Sequence, residues 1–460
     1  MLNGIWLGLL LVAVALGALT GQLPEVTKAG FEGCKTAVMN LALPLAGVMA
    51  LWLGIMRLAE KSGAVEKLAN VLRPVLVRIF PDVPAKHPAM GSIVMNMAAN
   101  MLGLANAATP LGLRAMQDLE KLNPRPGVAS NAMCTFLALN TSSVQLIPAT
   151  AVAIMAANGS VQPTAIIGTA LFATTCSTIV GLTAVKFFER LPMFRLPPVL
   201  PDSDDATITV ADEPVATPAN PPQMGPWGSL AVWAALAAFL ALFVGMTFFS
   251  TRFIEMADGI RTALSIGEGP FSLGEDWETK HPIARAVEVI SLLAIPFFLT
   301  IFPLYAAARR VPVYEEFVEG AKEGFQVAVR IIPFLVAILA AIGMFRAAGG
   351  IDLLARILSP LMQPLHAPAE LLPLIFMRPL SGGGSLGIFS ELVTTNGADS
   401  LIARMAGTIM GSTETTFYVL AVYFGSVAIR KTRHAVPAGL LADLAGVIAA
   451  ITICNIVFAK

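Results

Sequence analysis

The stretch STETT, residues 412–416, places one carboxylate and four hydroxyls inside a long, largely apolar tract. The tract runs from residue 403 to 411 before the stretch and from 417 to 429 after it. A charge at the centre of a bilayer costs roughly 2.5–3.5 kcal/mol on insertion, so such a group usually faces a polar cavity or a partner. The stretch therefore predicts a polar site inside a membrane protein.

A second polar stretch, NTSS at residues 140–143, lies in similar surroundings in the first half of the chain. Each stretch begins seven residues after a methionine, Met133 in one case and Met405 in the other. Ser, Thr and Asn side chains compete for backbone hydrogen bonds, and Pro148 lacks a donor, so helices are expected to break here. We predict that the two stretches are two sides of one site, carried by discontinuous or re-entrant helices.

The composition is that of a polytopic helical membrane protein. Of 460 residues, 56% are hydrophobic and only 13% are charged, whereas ordinary soluble domains have about 25% charged residues. The formal net charge is zero, so nothing indicates a nucleic-acid partner. The four cysteines are widely separated, which argues against a zinc site or a disulfide framework. We therefore predict an all-α fold without a bound metal.

Short motifs recur in the same order in both halves. EGCK at 32–35 and EGAK at 319–322 each precede an apolar segment with an internal proline. We predict a first membrane half over residues 1–195, a disordered Pro/Ala-rich linker over 196–228 and a second membrane half over 229–460. Repeats that meet at a pseudo-two-fold axis are usual in secondary transporters. The alternative is a duplication that only builds a scaffold, and loop charge leaves open whether the repeats are inverted or parallel.

Four segments carry more local predictions. Residues 2–19 are expected to form a retained first helix, and 24–35 a short amphipathic piece that is followed by a long apolar segment over 36–58. The spacing of apolar residues predicts an amphipathic, interfacial helix over 61–79. The charged segment 113–123 is expected to be an exposed connection.

Several motifs resemble two known families. NAMCTFLALNTSS at 131–143 and NAATP at 106–110 resemble spore maturation protein A. MRPLSG at 377–382, MGSTETTFYV at 410–419 and KTRHA at 431–435 resemble spore maturation protein B. The chain is thus similar to a fusion of the two families, joined within the linker.

This resemblance implies two copies of the nucleoside recognition, or Gate, domain. That domain is similar to a repeat in concentrative nucleoside transporters and in the membrane part of the ferrous iron transporter B. The resemblance implies a multi-pass protein of the bacterial cytoplasmic (inner) membrane and a role in transport. It does not imply a nucleoside substrate, because proteins with different cargo share the domain.

We accordingly expect a secondary transporter of a small polar or charged organic solute, whether nucleoside-like, amino-acid-like or a carboxylate. H⁺ or Na⁺ is the expected coupling ion, and no other cofactor is expected. The alternative is a non-transporting membrane scaffold or regulator of envelope physiology. No Ser/His/Asp set, acid pair or Walker pattern stands out, so an enzyme is not expected. The expected partners are the solute and the lipid bilayer. Whether the protein forms a homo-oligomer is left open by the sequence.

Glu414 is the first candidate for transport, since a carboxylate near the midplane can bind a cation, a coupling proton or a cationic group of the solute. The alternative is a structural pair with Arg378, which precedes a Ser-Gly-Gly-Gly-Ser run able to form an anion nest. The predicted substrate-binding residues are Asn140, Thr141, Ser142, Ser143, Arg378, Ser381, Ser385, Ser412, Thr413, Glu414 and Thr415. Second-rank candidates are Asn96, Asn100, Asn106 and Asp443, the last as a proton relay or a packing partner.

Overall fold

The structure, a computed structural model, describes residues 2–103, 105–142, 144–194, 224–264, 277, 282–350, 353, 356 and 367–458. These residues are almost entirely α-helical, which confirms the predicted all-α class. Helices of the first half are α1 (Leu2–Thr20), α2 (Leu23–Lys35), α3 (Leu43–Lys61), α4 (Ala64–Ile79), α5 (Pro88–Met101), α6 (Ala105–Lys121), α7 (Asn131–Ser142), α8 (Ala149–Ala157) and α9 (Ile166–Phe188). Helices of the second half are α10 (Pro226–Phe248), α11 (Ser250–Leu264), α12 (Pro282–Ala308), α13 (Val313–Ala347), α14 (Leu372–Met377), α15 (Gly382–Asn396), α16 (Leu401–Ser412), α17 (Thr416–Ser426) and α18 (Ala435–Phe458).

Among the described residues, five helical stretches are long and apolar enough to cross a membrane. They are Leu23–Lys61, Pro163–Phe188, Pro226–Phe248, Arg285–Ala308 and Ala435–Phe458. A crossing of the hydrocarbon core needs about 20 apolar residues, and each stretch meets that length. The protein is therefore a multi-pass membrane protein, as the composition predicts.

The predicted amphipathic piece over 24–35 is helix α2, and the apolar segment after it continues the same helical stretch. Helices α2 and α3 are joined by a π-helical turn, Thr36–Ala42, into one continuous helical stretch. A proline in a helix clashes with the carbonyl four residues earlier, and a π-helical turn widens the backbone at such a point. Pro44 directly follows this turn, so the helix accommodates the proline without a break.

The predicted exposed connection over 113–123 is wrong, because most of it belongs to α6. Ala115, Met116 and Leu119 are buried at helical spacing, whereas Gln117 and Lys121 are exposed on the opposite face. Asp118 is 4% exposed and accepts a hydrogen bond from Ser92 Oγ at 2.7 Å. The amphipathic segment after residue 61 does form a helix, α4, whose position relative to the bilayer stays a prediction.

Each half is interrupted twice in the same way, once at a hairpin turn and once at a helix break. In each half a helical hairpin is followed by a broken helix: α5 with α6 and then α7–α8 in the first, α14 with α15 and then α16–α17 in the second. A long helix closes each unit, α9 or α18, and these two pack against one another. The predicted linker lies largely outside the described residues, and its last three positions, 226–228, are the first turn of α10.

Equivalent helices of the two halves pack antiparallel. A Cβ at Gly33 would lie 2.6 Å from the Leu339 carbonyl oxygen, and one at Gly320 would lie 2.6 Å from the Leu53 carbonyl oxygen. Gly33 and Gly320 are equivalent in the repeat, and Leu53 and Leu339 follow them by 20 and 19 residues respectively. A two-fold axis perpendicular to the helices produces this reciprocal contact. For helices that cross a membrane, such an axis lies in the membrane plane, so the repeats are inverted.

Candidate functional site

The STETT and NTSS stretches meet at the breaks of two helices. Helix α7 ends at Ser142 and α16 ends at Ser412, and residues 144–148 and 413–415 are non-helical. The Glu414 N–H donates to the Thr141 carbonyl oxygen at 2.7 Å, so the non-helical segment after α16 crosses the last turn of α7 in direct contact. The structure thus brings together the two stretches that the sequence pairs.

Local side-chain hydrogen bonds explain why both helices end at these positions. Ser412 Oγ donates to the Ile409 carbonyl oxygen at 3.0 Å, and Ser142 Oγ donates to the Leu139 carbonyl oxygen at 3.3 Å. The last carbonyls of a helix have no partner within it, and hydroxyl groups can take that place. A serine hydroxyl thus ends the corresponding helix in each half.

Each broken helix is also tied to the turn of the hairpin that precedes it. The Leu146 N–H donates to the Met101 carbonyl oxygen at 2.9 Å, and the Phe417 N–H donates to the Pro379 carbonyl oxygen at 3.0 Å. Leu146 and Phe417 both lie a few residues after the starts of the two polar stretches. All four interruptions therefore lie in one layer.

Arg378 binds the end of α16 more closely than it binds Glu414. Its Nη2 donates to the Met410 carbonyl oxygen at 2.9 Å and also to the Thr413 carbonyl oxygen. A cation near the last carbonyls of a helix is stabilised by the negative end of the helix dipole. The distance from Nη2 to Glu414 Oε2 is 4.0 Å, which is a long ion pair. Arg378 therefore serves mainly to hold the broken end of α16.

Glu414 is the charged group that remains open. Its Oε1 accepts a hydrogen bond from Gln145 Nε2 at 2.8 Å. Its side chain is 36% exposed, whereas that of Arg378 is 6% exposed. Gln145 was missed by the sequence analysis, although it follows the NTSS stretch by only two residues in an apolar context.

A cavity of about 260 Å³ lies beside this crossing. Its lining residues are Asn100, Gly103, Gln145, Ile147, Pro148, Ala149, Thr150, Ala151, Arg378, Gly382, Leu386, Met410 and Glu414. The cavity thus combines residues of both hairpins and both broken helices. Of the residues predicted to bind substrate, Arg378 and Glu414 line it, and so does Gly382 of the predicted nest, while Gly103 and Thr150 were not anticipated.

An amide cluster connects the cavity to the first hairpin. Asn100 Nδ2 donates to Asn140 Oδ1 at 2.9 Å and to Asn96 Oδ1 at 3.3 Å. Asn96 Nδ2 in turn donates to the Ala108 carbonyl oxygen at 2.7 Å, which braces α5 against α6. Asn96 and Asn140 are buried, so Asn100 is the member of this cluster that reaches the cavity.

The run predicted to form an anion nest is the first turn of α15, and its binding of an anion stays a prediction. Ser381 Oγ accepts from the Gly384 N–H at 3.0 Å, which is an N-cap. Ser385 Oγ donates to the Ser381 carbonyl oxygen at 2.7 Å and is fully buried. A serine before a run of three glycines favours a capped helix start, because the hydroxyl satisfies a backbone N–H. Gly382 alone of this run lines the cavity.

The other predicted residues surround the crossing without lining the cavity. Thr141, Ser142, Ser412, Thr413 and Thr415 are all at most 3% exposed. Ser143 and the side chain of Asn106 lie outside the described part of the structure.

Asp443 on α18 is 5% exposed and lies behind the crossing rather than in the cavity. Its Oδ2 accepts a hydrogen bond from Thr416 Oγ1 at 2.6 Å. Thr416 is the first residue of α17, so this bond joins the broken helix to the last long helix. The role that the structure supports for Asp443 here is a packing partner, and a proton-relay role stays a prediction.

Comparison with known proteins follows the same division of the chain. The Gate family model, described as nucleoside recognition, matches residues 42–158 and 328–430. These two segments contain both hairpins and both broken helices.

Two relatives are similar to different parts of the chain. Spore maturation protein B of Bacillus subtilis (strain 168) is 46% identical over 169 residues, which is 37% of this chain and 95% of the relative. Spore maturation protein A of the same organism is 42% identical over 188 residues, which is 41% of this chain and 95% of the relative. The chain therefore belongs to the family of spore maturation proteins A and B, and it carries counterparts of both in one polypeptide.

Proposed function

We propose that the protein is a secondary transporter of a small polar or charged organic solute. The observation that supports this proposal is the crossing of two broken helices, from inverted halves, beside a polar cavity with a partly exposed carboxylate. Broken helices expose backbone groups to a solute, and inverted halves can tilt to open the site to either side of the membrane in turn. Neither feature is needed in a protein that only serves as a scaffold.

The distribution of basic residues supports an orientation in the cytoplasmic membrane. Three connections lie together at one end of the molecule: the Ala129 N–H donates to the Lys431 carbonyl oxygen, and Arg433 donates to the Phe194 carbonyl oxygen. Basic residues in and next to these connections are Lys121, Arg125, Lys186, Arg190, Arg430, Lys431 and Arg433. Because Lys and Arg concentrate on the cytoplasmic side of membrane proteins, we place this end in the cytoplasm.

The cavity then lies on the outer side of the crossing. Its residues Ala149–Ala151 and Leu386 are on α8 and α15, which lead away from the basic end. The loops at the far ends of these helices meet there, where Ser160 Oγ donates to Asp399 Oδ1 at 2.7 Å. We therefore propose that this conformation presents the Glu414 carboxylate to the outside, where a solute would enter.

Flux measurements test this function. The purified full chain is reconstituted into liposomes, and uptake of labelled uridine, amino acids, amines and dicarboxylates is followed with and without an H⁺ or Na⁺ gradient. Uridine is included because the matching family model is described as nucleoside recognition. We expect gradient-dependent uptake of at least one solute class in the wild type and its loss in Glu414→Gln, which keeps the shape of the side chain but not its charge.

The matched control is Glu319→Gln, a carboxylate that is exposed on α13 and bonded to Lys322. This variant should transport like the wild type. Absence of gradient-dependent flux for every solute class would favour the non-transporting scaffold or regulator. Equal flux in wild type and Glu414→Gln would remove Glu414 from the transport site.

A further inference from the structure

The exposed charge in the cavity is negative. Arg378 and Glu414 are the ionisable residues that line it among the described residues, so the pair taken together is neutral. Their exposures differ, however, with 36% of the Glu414 side chain accessible and 6% of the Arg378 side chain. A solute that enters the cavity therefore meets the carboxylate before it meets the guanidinium.

Arg378 is poorly placed to bind an anionic solute. Its Nη2 is already engaged by the carbonyl oxygens of Met410 and Thr413 at the end of α16. A solute carboxylate would compete with these carbonyls and would also approach Glu414, whose Oε2 lies 4.0 Å from Nη2. Like charges at that separation repel one another, most strongly where water is scarce.

Glu414, by contrast, keeps one oxygen available. Gln145 Nε2 donates to Oε1 at 2.8 Å and so fixes the orientation of the carboxylate. Oε2 has its nearest cation at 4.0 Å, which is beyond hydrogen-bond distance. This oxygen can accept a charge-assisted hydrogen bond from an N–H group of a solute.

One neutral group near Glu414 adds an acceptor. Asn100 donates from Nδ2 to both Asn140 and Asn96, so its carbonyl oxygen is the atom left for a solute. A volume of about 260 Å³ is slightly below the usual range of ligand pockets, about 300–1,000 Å³. The site therefore fits a small solute.

We propose that the solute carries an ammonium group and that this group binds Glu414, with the carbonyl oxygen of Asn100 as a second acceptor. The proposal rests on the transport function above and narrows its solute to small amines and amino-acid-like molecules. Dicarboxylates and neutral nucleosides are the competing classes. Removing the charge of Glu414 should weaken binding of an amine by roughly 10- to 100-fold, which is the usual effect of losing a hydrogen bond to a charged group.

Ligand-induced thermal stabilisation of the purified full chain in detergent tests the proposal without requiring transport. The probes are putrescine, ethanolamine, glycine and L-lysine, with succinate and uridine as the competing classes. We expect at least one amine to raise the melting temperature of the wild type and of Glu319→Gln, and the same amine to act on Glu414→Gln only at roughly 10- to 100-fold higher concentration. Glu414→Asp, which keeps the charge, should retain part of the effect, and this separates loss of charge from loss of folding.

Two results would overturn the proposal. One is the absence of stabilisation by any of the four amines in the wild type. The other is stabilisation by succinate or uridine that persists in Glu414→Gln.

Failure of the transport function gives a different pattern, in which amines stabilise the wild type through Glu414 but no gradient-dependent flux is found. Conversely, flux of succinate or uridine that survives in Glu414→Gln would support transport and refute the amine-binding role of Glu414.

Discussion

Replacing Gly320 by alanine should destabilise the protein, although the same change in most helices is favourable. Alanine is preferred over glycine in a helix interior by roughly 0.5–1 kcal/mol. At Gly320, however, the new Cβ would lie 2.6 Å from the Leu53 carbonyl oxygen and 2.8 Å from Arg57 Cβ. The first of these atoms belongs to the backbone of α3, so the contact is relieved only if α3 and α13 move apart.

Extra atoms forced into a packed interface cost roughly 1–3 kcal/mol. After the helix preference of alanine is subtracted, we expect Gly320→Ala to lose about 1–2 kcal/mol of unfolding free energy. The inverted symmetry adds a second expectation: Gly33→Ala, whose Cβ would lie 2.6 Å from the Leu339 carbonyl oxygen, should lose a similar amount. Gly47 on α3 is the matched control, because a Cβ there has no neighbour within 4 Å.

The measurement is reversible unfolding of the purified protein by SDS in dodecylmaltoside micelles, followed by tryptophan fluorescence. Gly47→Ala should be neutral or more stable than the wild type, and the other two variants should be less stable. The reasoning fails if all three variants behave alike, since the reciprocal close approach would then carry no cost. It also fails if Gly33→Ala and Gly320→Ala differ by more than the effect itself, because equivalence of the two contacts would be lost.

Three further predictions concern polar groups around the breaks and the far loop. Arg378→Gln should cost roughly 2–4 kcal/mol of unfolding free energy in the same SDS titration, because buried carbonyls at the end of α16 lose their donor, and full stability of this variant would contradict the capping role. Thr416→Val should cost roughly 1–3 kcal/mol of unfolding free energy. If Thr416 and Asp443 act as a pair, the same substitution should cost much less in an Asp443→Asn background. Additive losses would refute the pairing. Partial burial tends to raise the pKa of Asp399, but hydrogen bonds from Ser160 and the Val161 N–H, with the charge of Arg404, outweigh it and hold the pKa below 3.8. The contribution of Asp399 to stability is therefore present above the unfolded-state pKa and is lost as pH falls through the lower folded-state value. The melting temperature of the wild type should fall more steeply in acid than that of Asp399→Asn. Parallel curves of melting temperature against pH would contradict this.

The break after α7 could be placed from the sequence because its cause is local, whereas the break between α16 and α17 was not placed, although it has the same cause. The hydroxyls of Ser142 and Ser412 bond to carbonyls three residues earlier, and this tendency is a property of the residue type. The all-helical class follows in the same way from composition. The contact between the two polar stretches could also be predicted, because two such stretches in a membrane are stabilised most when they share one polar site.

The remaining features depend on contacts between distant parts of the chain. The sequence suggests Glu414 as a partner of Arg378, but the hydrogen-bond partners of Arg378 are backbone carbonyls. Because every residue has a carbonyl, the sequence does not show which ones Arg378 binds. Gln145 gains its importance only because the α16 break brings Glu414 within 2.8 Å. The inverted arrangement rests on contacts such as that of Gly33 with Leu339, and glycine alone does not specify its neighbour.

The continuous helix α2–α3 packs against α13 along a line of glycines. Along Gly30, Gly33 and Gly54 on one side and Gly320 and Gly324 on the other, it lies against α13 so closely that a single methyl group would not fit without displacement. Arg57 Nε and Nη1 add ion pairs to Glu316 and Glu323 at 2.8 Å each. The broken helices, in contrast, are tied to their hairpins by hydrogen bonds, both from the backbone at Leu146 and Phe417 and from the side chains of Asn100 and Arg378. If the protein changes shape to release a solute, this glycine-lined pair is the fixed frame against which the breaks bend, and a crosslink between α3 and α13 should leave flux intact.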